Sequence, residues 1–112
     1  MSKKVKNFDL ICLGRLAVDF YGNQIGSRLE DTSTFSKYLG GSSANVAYGA
    51  ARQGLKTSML ARVGDEHMGR FLKEELDRAG VDTSNIISDP TRLTALVILG
   101  IKDRETFPLI FY

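Results

Sequence analysis

The chain has 112 residues, 43% hydrophobic and 25% charged, and its 15 basic and 13 acidic side chains leave a net charge of +2. That is an ordinary globular composition, and charges mixed this evenly give no electrostatic case for nucleic acid or an anionic membrane. The longest apolar stretch, residues 93–101, is too short to span a bilayer; residues 1–7 lack the apolar segment of a secretory signal; and a single cysteine cannot form an internal disulfide. A cytoplasmic location is the expectation.

Residues 8–13 form a short, nearly continuous apolar run closed by Gly14, the pattern of a strand buried on both faces of a parallel sheet. Cys12 in its middle reads as a small core residue and not a nucleophile, because no partner base is evident. Asp19 follows just beyond that strand's carboxyl end, where open α/β sheets place their ligands, so it is a candidate acceptor for a ligand hydroxyl. Residues 20–38 are polar and irregular, with Gly22, Asn23, Gly26 and Ser27 as turn signals. They read as short strands or an excursion from the main sheet.

The richest stretch is 38–51, where Gly40, Gly41, Ser42 and Ser43 lead into Ala44, Asn45, Val46 and Ala47. Paired glycines let a ligand approach the main chain, and Ser42 or Ser43 is expected to cap a helix beginning at Ala44. Asn45 in the first turn offers a donor and an acceptor to a polyhydroxylated molecule. Ala44, Ala47 and Ala51 share one face that fits closely against a sheet, and the helix should end near Gly54.

Residues 56–63 are a second strand candidate. In the next helix Met68, Phe71, Leu72, Leu76 and Ala79 form one apolar stripe. Asp65 is expected to cap its start and Gly80 to stop it. His67, the only histidine, reads as a surface residue because no ligand partner lies at a suitable spacing. Residues 81–87 read as a loop into a short strand. The tail predicts a hairpin, with strands in 93–101 and 106–112 joined by the charged turn 102–105. Pro108 places it at an edge, away from the middle of the main sheet.

Residues 49–57 approximate a phosphate-binding Walker A loop, but carry an extra residue and run from helix to strand instead of strand to helix. No G-x-G-x-x-G, G-x-S-x-G or zinc-histidine pair occurs in the chain, which argues against a Rossmann-type oxidoreductase.

The stretch 38–47, together with Gly14 and Asp19 five residues apart, Gly54-Leu55-Lys56, residues 61–65, Gly69 and residues 79–83, resembles the ribokinase-like (PfkB-type) carbohydrate kinases. The likeness covers nearly the whole chain. Within the family, Gly14-Arg15, residues 34–38 and the Gly-Gly-Ser triplet look most like kinases of keto-deoxy sugar acids in myo-inositol catabolism, with 2-keto-3-deoxygluconate kinases and fructokinases as near neighbours.

The resemblance implies a three-layer α/β ribokinase-like fold, present as its amino-terminal portion, with a small β-sheet lid formed by strands in 20–38 and 93–112. It also implies a homodimer paired through the lid. Asp19, Gly40, Gly41 and Asn45 match the family's sugar-binding positions. Ribokinase itself has an asparagine two residues before the aspartate, where this chain has Ala17, so the hydroxyl pattern recognised should differ from that of ribose.

The family uses ATP with Mg²⁺, and its catalytic aspartate lies in a Gly-Ala-Gly-Asp type motif that this chain does not contain. The ATP, Mg²⁺ and catalytic groups are therefore expected outside residues 1–112, and no catalytic residue is assigned here. Ending on strand-like Leu109, Ile110, Phe111 and Tyr112, the chain reads as the front of a kinase on the order of 300 residues. The rival reading is a non-catalytic partial module that binds sugar or dimerises.

Overall fold

The structure is a computed structural model that describes residues 5–112. It contains two sheets. The first is fully parallel, in the order β1 (Leu10–Leu13), β4 (Thr57–Gly64), β5 (Ile86–Asp89). The second is mixed, with β3 (Phe35–Gly40) antiparallel to β2 (Ala17–Gly22), β2 parallel to β6 (Leu96–Leu99), and β6 antiparallel to β7 (Leu109–Phe111). Two helices, α1 (Ser42–Arg52) and α2 (His67–Ala79), link the parallel strands.

Both steps across the parallel sheet, β1 to β4 and β4 to β5, run in the same direction. Right-handed crossovers therefore set both helices on one face. The core lies there: Cys12, Met59 and Val63 from the strands meet Ala44 and Ala47 of α1 and Leu72 and Leu76 of α2. Small alanines let α1 approach the sheet closely, and burial pushes the Cys12 thiol up.

Among the described residues no helix lies over the opposite face. Ile11 is 56% exposed and Leu13 76%, so the expectation that β1 is buried on both faces fails for these residues. An apolar run cannot reveal that only one of its faces is covered. On this open face Arg62 Nε donates to Asp89 Oδ2 at 2.8 Å, and that bond, with two from Thr91, holds the Asp89 carboxyl well below the usual carboxylate range.

Both helix starts differ from expectation. Gly41, with φ 99°, is the N-cap of α1 and no side chain caps it; Ser43 instead donates its Oγ to the Leu13 carbonyl at 3.1 Å. In α2 the cap is Glu66, not Asp65, its carboxylate accepting from the Gly69 N–H. Gly80 ends α2 in the left-handed conformation at φ 91°.

In the second sheet the strands begin and end outside the expected 20–38 stretch, because pairing runs from Ala17 opposite Gly40 to Gly22 opposite Phe35. The tail forms a hairpin whose regular ladder is shorter than expected. Beyond Leu99 it continues as scattered bonds, Gly100 N–H to the Pro108 carbonyl at 2.9 Å and the N–H groups of Lys102 and Asp103 to the Thr106 carbonyl at 3.0 and 3.4 Å, since the proline nitrogen has no hydrogen to donate. β7 is an edge strand, as Pro108 requires, while β6 lies inside against β2. Among the described residues no helix is long and apolar enough to cross a membrane.

Candidate functional site

Side chains alternate along a strand, so residues two apart share a face. On β2 that rule places Asp19 and Tyr21 together, with Asn23 just beyond; on β3 it places Ser36 and Tyr38 opposite them, since Tyr38 pairs with Asp19 and Ser36 with Tyr21. These five residues, with Ile25, Leu39, Asn45 and Ile101, line an open groove of about 550 Å³. The rings of Tyr21 and Tyr38 meet edge to face, with centroids 5.3 Å apart and an interplanar angle of 88°. At the far end Ser36 donates to Asn23 Oδ1 at 2.8 Å, and Gln24 Oε1 accepts from the N–H groups of Ser33 and Thr34.

The four residues singled out from the sequence come together here. Asp19 and Asn45 both line the groove. Gly40 lies directly against Asp19, and a Cβ there would run into the carboxylate. At Gly41 a Cβ would strike the carbonyl of Arg15, and φ is 99°, a conformation that side-chain-bearing residues rarely adopt. Asn45 is held over this doublet, its Nδ2 donating to the Gly41 carbonyl at 2.9 Å alongside the helical N–H of the same residue at 3.0 Å. That leaves the amide oxygen and a second amide hydrogen for a ligand. Burial pushes the Asp19 carboxyl above its ordinary value, and the charge of Arg15 pulls in the opposite direction.

The groove therefore combines one partly desolvated carboxylate, the two amides of Asn23 and Asn45, a serine hydroxyl, two tyrosines and accessible backbone. This set suits a small polyhydroxylated molecule: carboxylate and amide for the hydroxyls, ring faces for the carbon skeleton. Tyr21, Asn23, Ser36 and Tyr38 were not singled out as site residues. The two-residue alternation running from Asp19 was the available signal, obscured by Phe20, which breaks the simple apolar and polar rhythm. Among the described residues no group of three histidine, cysteine, aspartate or glutamate side chains could hold a metal ion.

Residues 7–111 match the pfkB family carbohydrate kinase description. The chain is 43% identical over 108 residues to the 5-dehydro-2-deoxygluconokinase of Geobacillus thermodenitrificans, covering 96% of this chain and 32% of that protein. It superimposes on an uncharacterized sugar kinase from Pyrococcus horikoshii, solved in complex with ATP, with a TM-score of 0.87 and 33% identity, over 92% of this chain and 33% of that one. The fructokinase of Halothermothrix orenii gives a TM-score of 0.84 at 28% identity, over 93% of this chain and 37% of the other. The chain belongs to the pfkB family of carbohydrate kinases, and its architecture is a partial ribokinase-like fold. It spans about a third of the length of the curated relatives it matches.

Proposed function

We propose that the whole protein transfers the γ-phosphoryl group of ATP, with Mg²⁺, to a hydroxyl of a keto-deoxy sugar acid, 5-dehydro-2-deoxygluconate foremost, in the cytoplasm. The observation that carries the reading is the convergence of Asp19 and Asn45 on one groove beside the Gly40-Gly41 backbone, in a chain 43% identical to a kinase named for that acid. In this reading Asp19 accepts hydrogen bonds from sugar hydroxyls, the glycines admit the ring or chain against the backbone, and Asn45 bridges two oxygens. Strands within 20–38 and 93–112 act as the lid over the sugar, the first supplying the polar groove-facing side chains Tyr21, Ser36 and Tyr38.

These residues bind and orient the sugar; they do not activate it. The groups that take the hydroxyl proton and hold ATP and Mg²⁺ are assigned to the remainder of the protein, since no Gly-Ala-Gly-Asp motif lies in this chain. For phosphoryl transfer, positioning of this kind and charge stabilisation are the main contributions a protein makes. The sheet edges β3 and β7 are proposed to pair with a second copy. Leu109, Ile110 and Phe111 of β7 are all about half-exposed or more, and an unpaired strand edge is a template for another strand.

Fructose is the second reading, favoured by the superposition on the Halothermothrix fructokinase at a TM-score of 0.84. The lower identity, 28% against 43%, puts it second. The test is ADP release by the whole protein from ATP with 5-dehydro-2-deoxygluconate, 2-keto-3-deoxygluconate and fructose in parallel. Preference for the first supports the assignment; turnover of fructose alone replaces it; no turnover of any sugar favours a binding module.

A further inference from the structure

We propose that Arg15 is the specificity residue that reads the substrate's carboxylate, a role that rests on the sugar-acid reading above. Its main chain sits against the glycine doublet, its carbonyl being the atom that a Cβ on Gly41 would meet. Its guanidinium lies over the ring of Phe111, 4.8 Å from the centroid. Register places that ring on the groove side of the sheet: Asp19 pairs with Val97, and Val97 with Phe111, and directly paired residues share a face.

The Arg15 guanidinium therefore reaches the same face as Asp19, over a ring that stands two strands across from it. Strand spacing puts the Asp19 and Phe111 backbones about 10 Å apart, and the side chains reaching inward shorten the gap between carboxylate and guanidinium. A six-carbon acid is about 8 Å long in its extended form, judged from ordinary bond lengths. One end can meet Asp19 while the other meets Arg15.

The electrostatic arrangement supports the same division of labour. Among the described residues no carboxylate lies within 4.0 Å of the Arg15 guanidinium, so no acidic side chain of this chain occupies it. Stacking on Phe111 fixes the plane of the guanidinium and leaves its edge for a carboxylate, the geometry of bidentate recognition. Lys37, next to the groove-lining Tyr38, belongs to the opposite face of β3, with its ammonium 4.0 Å from the Phe71 ring centroid. Asp19 would repel an acid group brought beside it, so a carboxylate orients toward Arg15, and the hydroxylated end toward Asp19. One substrate orientation follows from the two charges.

Equilibrium binding of 5-dehydro-2-deoxygluconate and of its uncharged methyl ester to the whole protein tests this. For the unmodified protein, acid binds more tightly than ester. Arg15→Leu weakens the acid by about 10- to 100-fold, the range of a charge-assisted hydrogen-bonded pair, and changes the ester little. Arg15→Lys falls between, keeping the charge but losing the fork. Phe111→Leu, which removes only the stacking ring, weakens the acid several-fold and leaves the ester alone. Equal loss of acid and ester in Arg15→Leu, or loss of neither, overturns the assignment. Phosphorylation of the acid by a protein that binds acid and ester equally overturns it while leaving the sugar-acid reading intact; failure to bind either compound overturns both.

Discussion

The two sheets of this chain are built on different terms. In the parallel sheet, strand side chains pack against helices, and Met59, Leu72 and Leu76 are completely buried. In the mixed sheet the groove-facing side carries Asp19, Tyr21, Ser36 and Tyr38 with space above them. Only its other side meets the core, through Val18, Phe20, Leu39 and Leu96. The first sheet holds the fold together, and the second keeps polar side chains at an open surface, where the proposed ligand would meet them. Substitutions in the first should therefore change stability, and substitutions in the second should change binding.

The largest expected effect lies in the first region. Leu72→Ala removes a fully buried side chain from the junction of α2 with the sheet and should destabilise the whole protein by about 2–5 kcal/mol, measured as a shift of the urea unfolding midpoint. The sugar affinity of whatever fraction remains folded should be close to normal. A large affinity loss with little loss of stability would erase the division between the sheets.

Gly40→Ala is the counterpart in the second region. The added methyl meets the Asp19 carboxylate, which must turn away from the groove, so sugar binding should fall by two orders of magnitude or more, while strand pairing tolerates the alanine. Asp19→Asn is gentler. It keeps the shape and loses the charged acceptor, and a hydrogen bond to a charged group contributes about 1.5–3 kcal/mol, so affinity should drop roughly 10- to 100-fold by calorimetry.

The sign of the stability effect of Asp19→Asn is opposite. Burial raises the Asp19 pKa in the folded state, so the ionised group opposes folding. That cost is absent below the unfolded value, grows as pH rises from there through the raised folded value, and is fully present at neutral pH. Asp19→Asn should thus be at least as stable as the parent at pH 7, and its stability should lack that pH-dependent loss. Affinity of the parent should weaken as pH falls through the raised pKa. A variant that binds normally would remove Asp19 from the site.

How much of this was legible depended on whether the signal was local. The apolar stripe of α2 and its Gly80 stop reflect helical periodicity within one segment, and the structure has both. The Gly40-Gly41 doublet marked a backbone need that the positive φ at Gly41 makes concrete. Cap identity was not legible: Ser42, Ser43 and Asp65 all had suitable chemistry, but tertiary contacts decided between neighbours, giving Ser43 to the Leu13 carbonyl. The bare side of the parallel sheet was equally hidden, because Ile11 and Leu13 look the same whether or not something covers them. The pairing of β6 with β2 joins residues nearly eighty positions apart, and no local pattern announces such a contact.

The smallest predicted effect concerns the joint between the sheets. Thr94, buried, donates its hydroxyl to Glu66 Oε1 at 3.0 Å and accepts from the Gly64 N–H at 3.0 Å, while the same carboxylate caps α2 through Gly69 at 2.8 Å. Glu66 thereby ties the end of β4 and the start of α2 to the segment that enters β6. Burial works against its charge, but the bonds from Gly69 and Thr94 outweigh it and bring the pKa below the ordinary value. The stabilisation is therefore present above the unfolded pKa and is lost as pH falls through the lowered folded value. Glu66→Ala should cost about 1 kcal/mol, typical of a lost helix cap, and Glu66→Gln should remove the acid-side dependence with a smaller cost. Because the joint connects the two regions, amide exchange in β6 should speed up in Glu66→Ala more than in the centre of β4. Equal acceleration in both strands would mean that the two sheets unfold as one unit, and that Glu66 serves α2 alone.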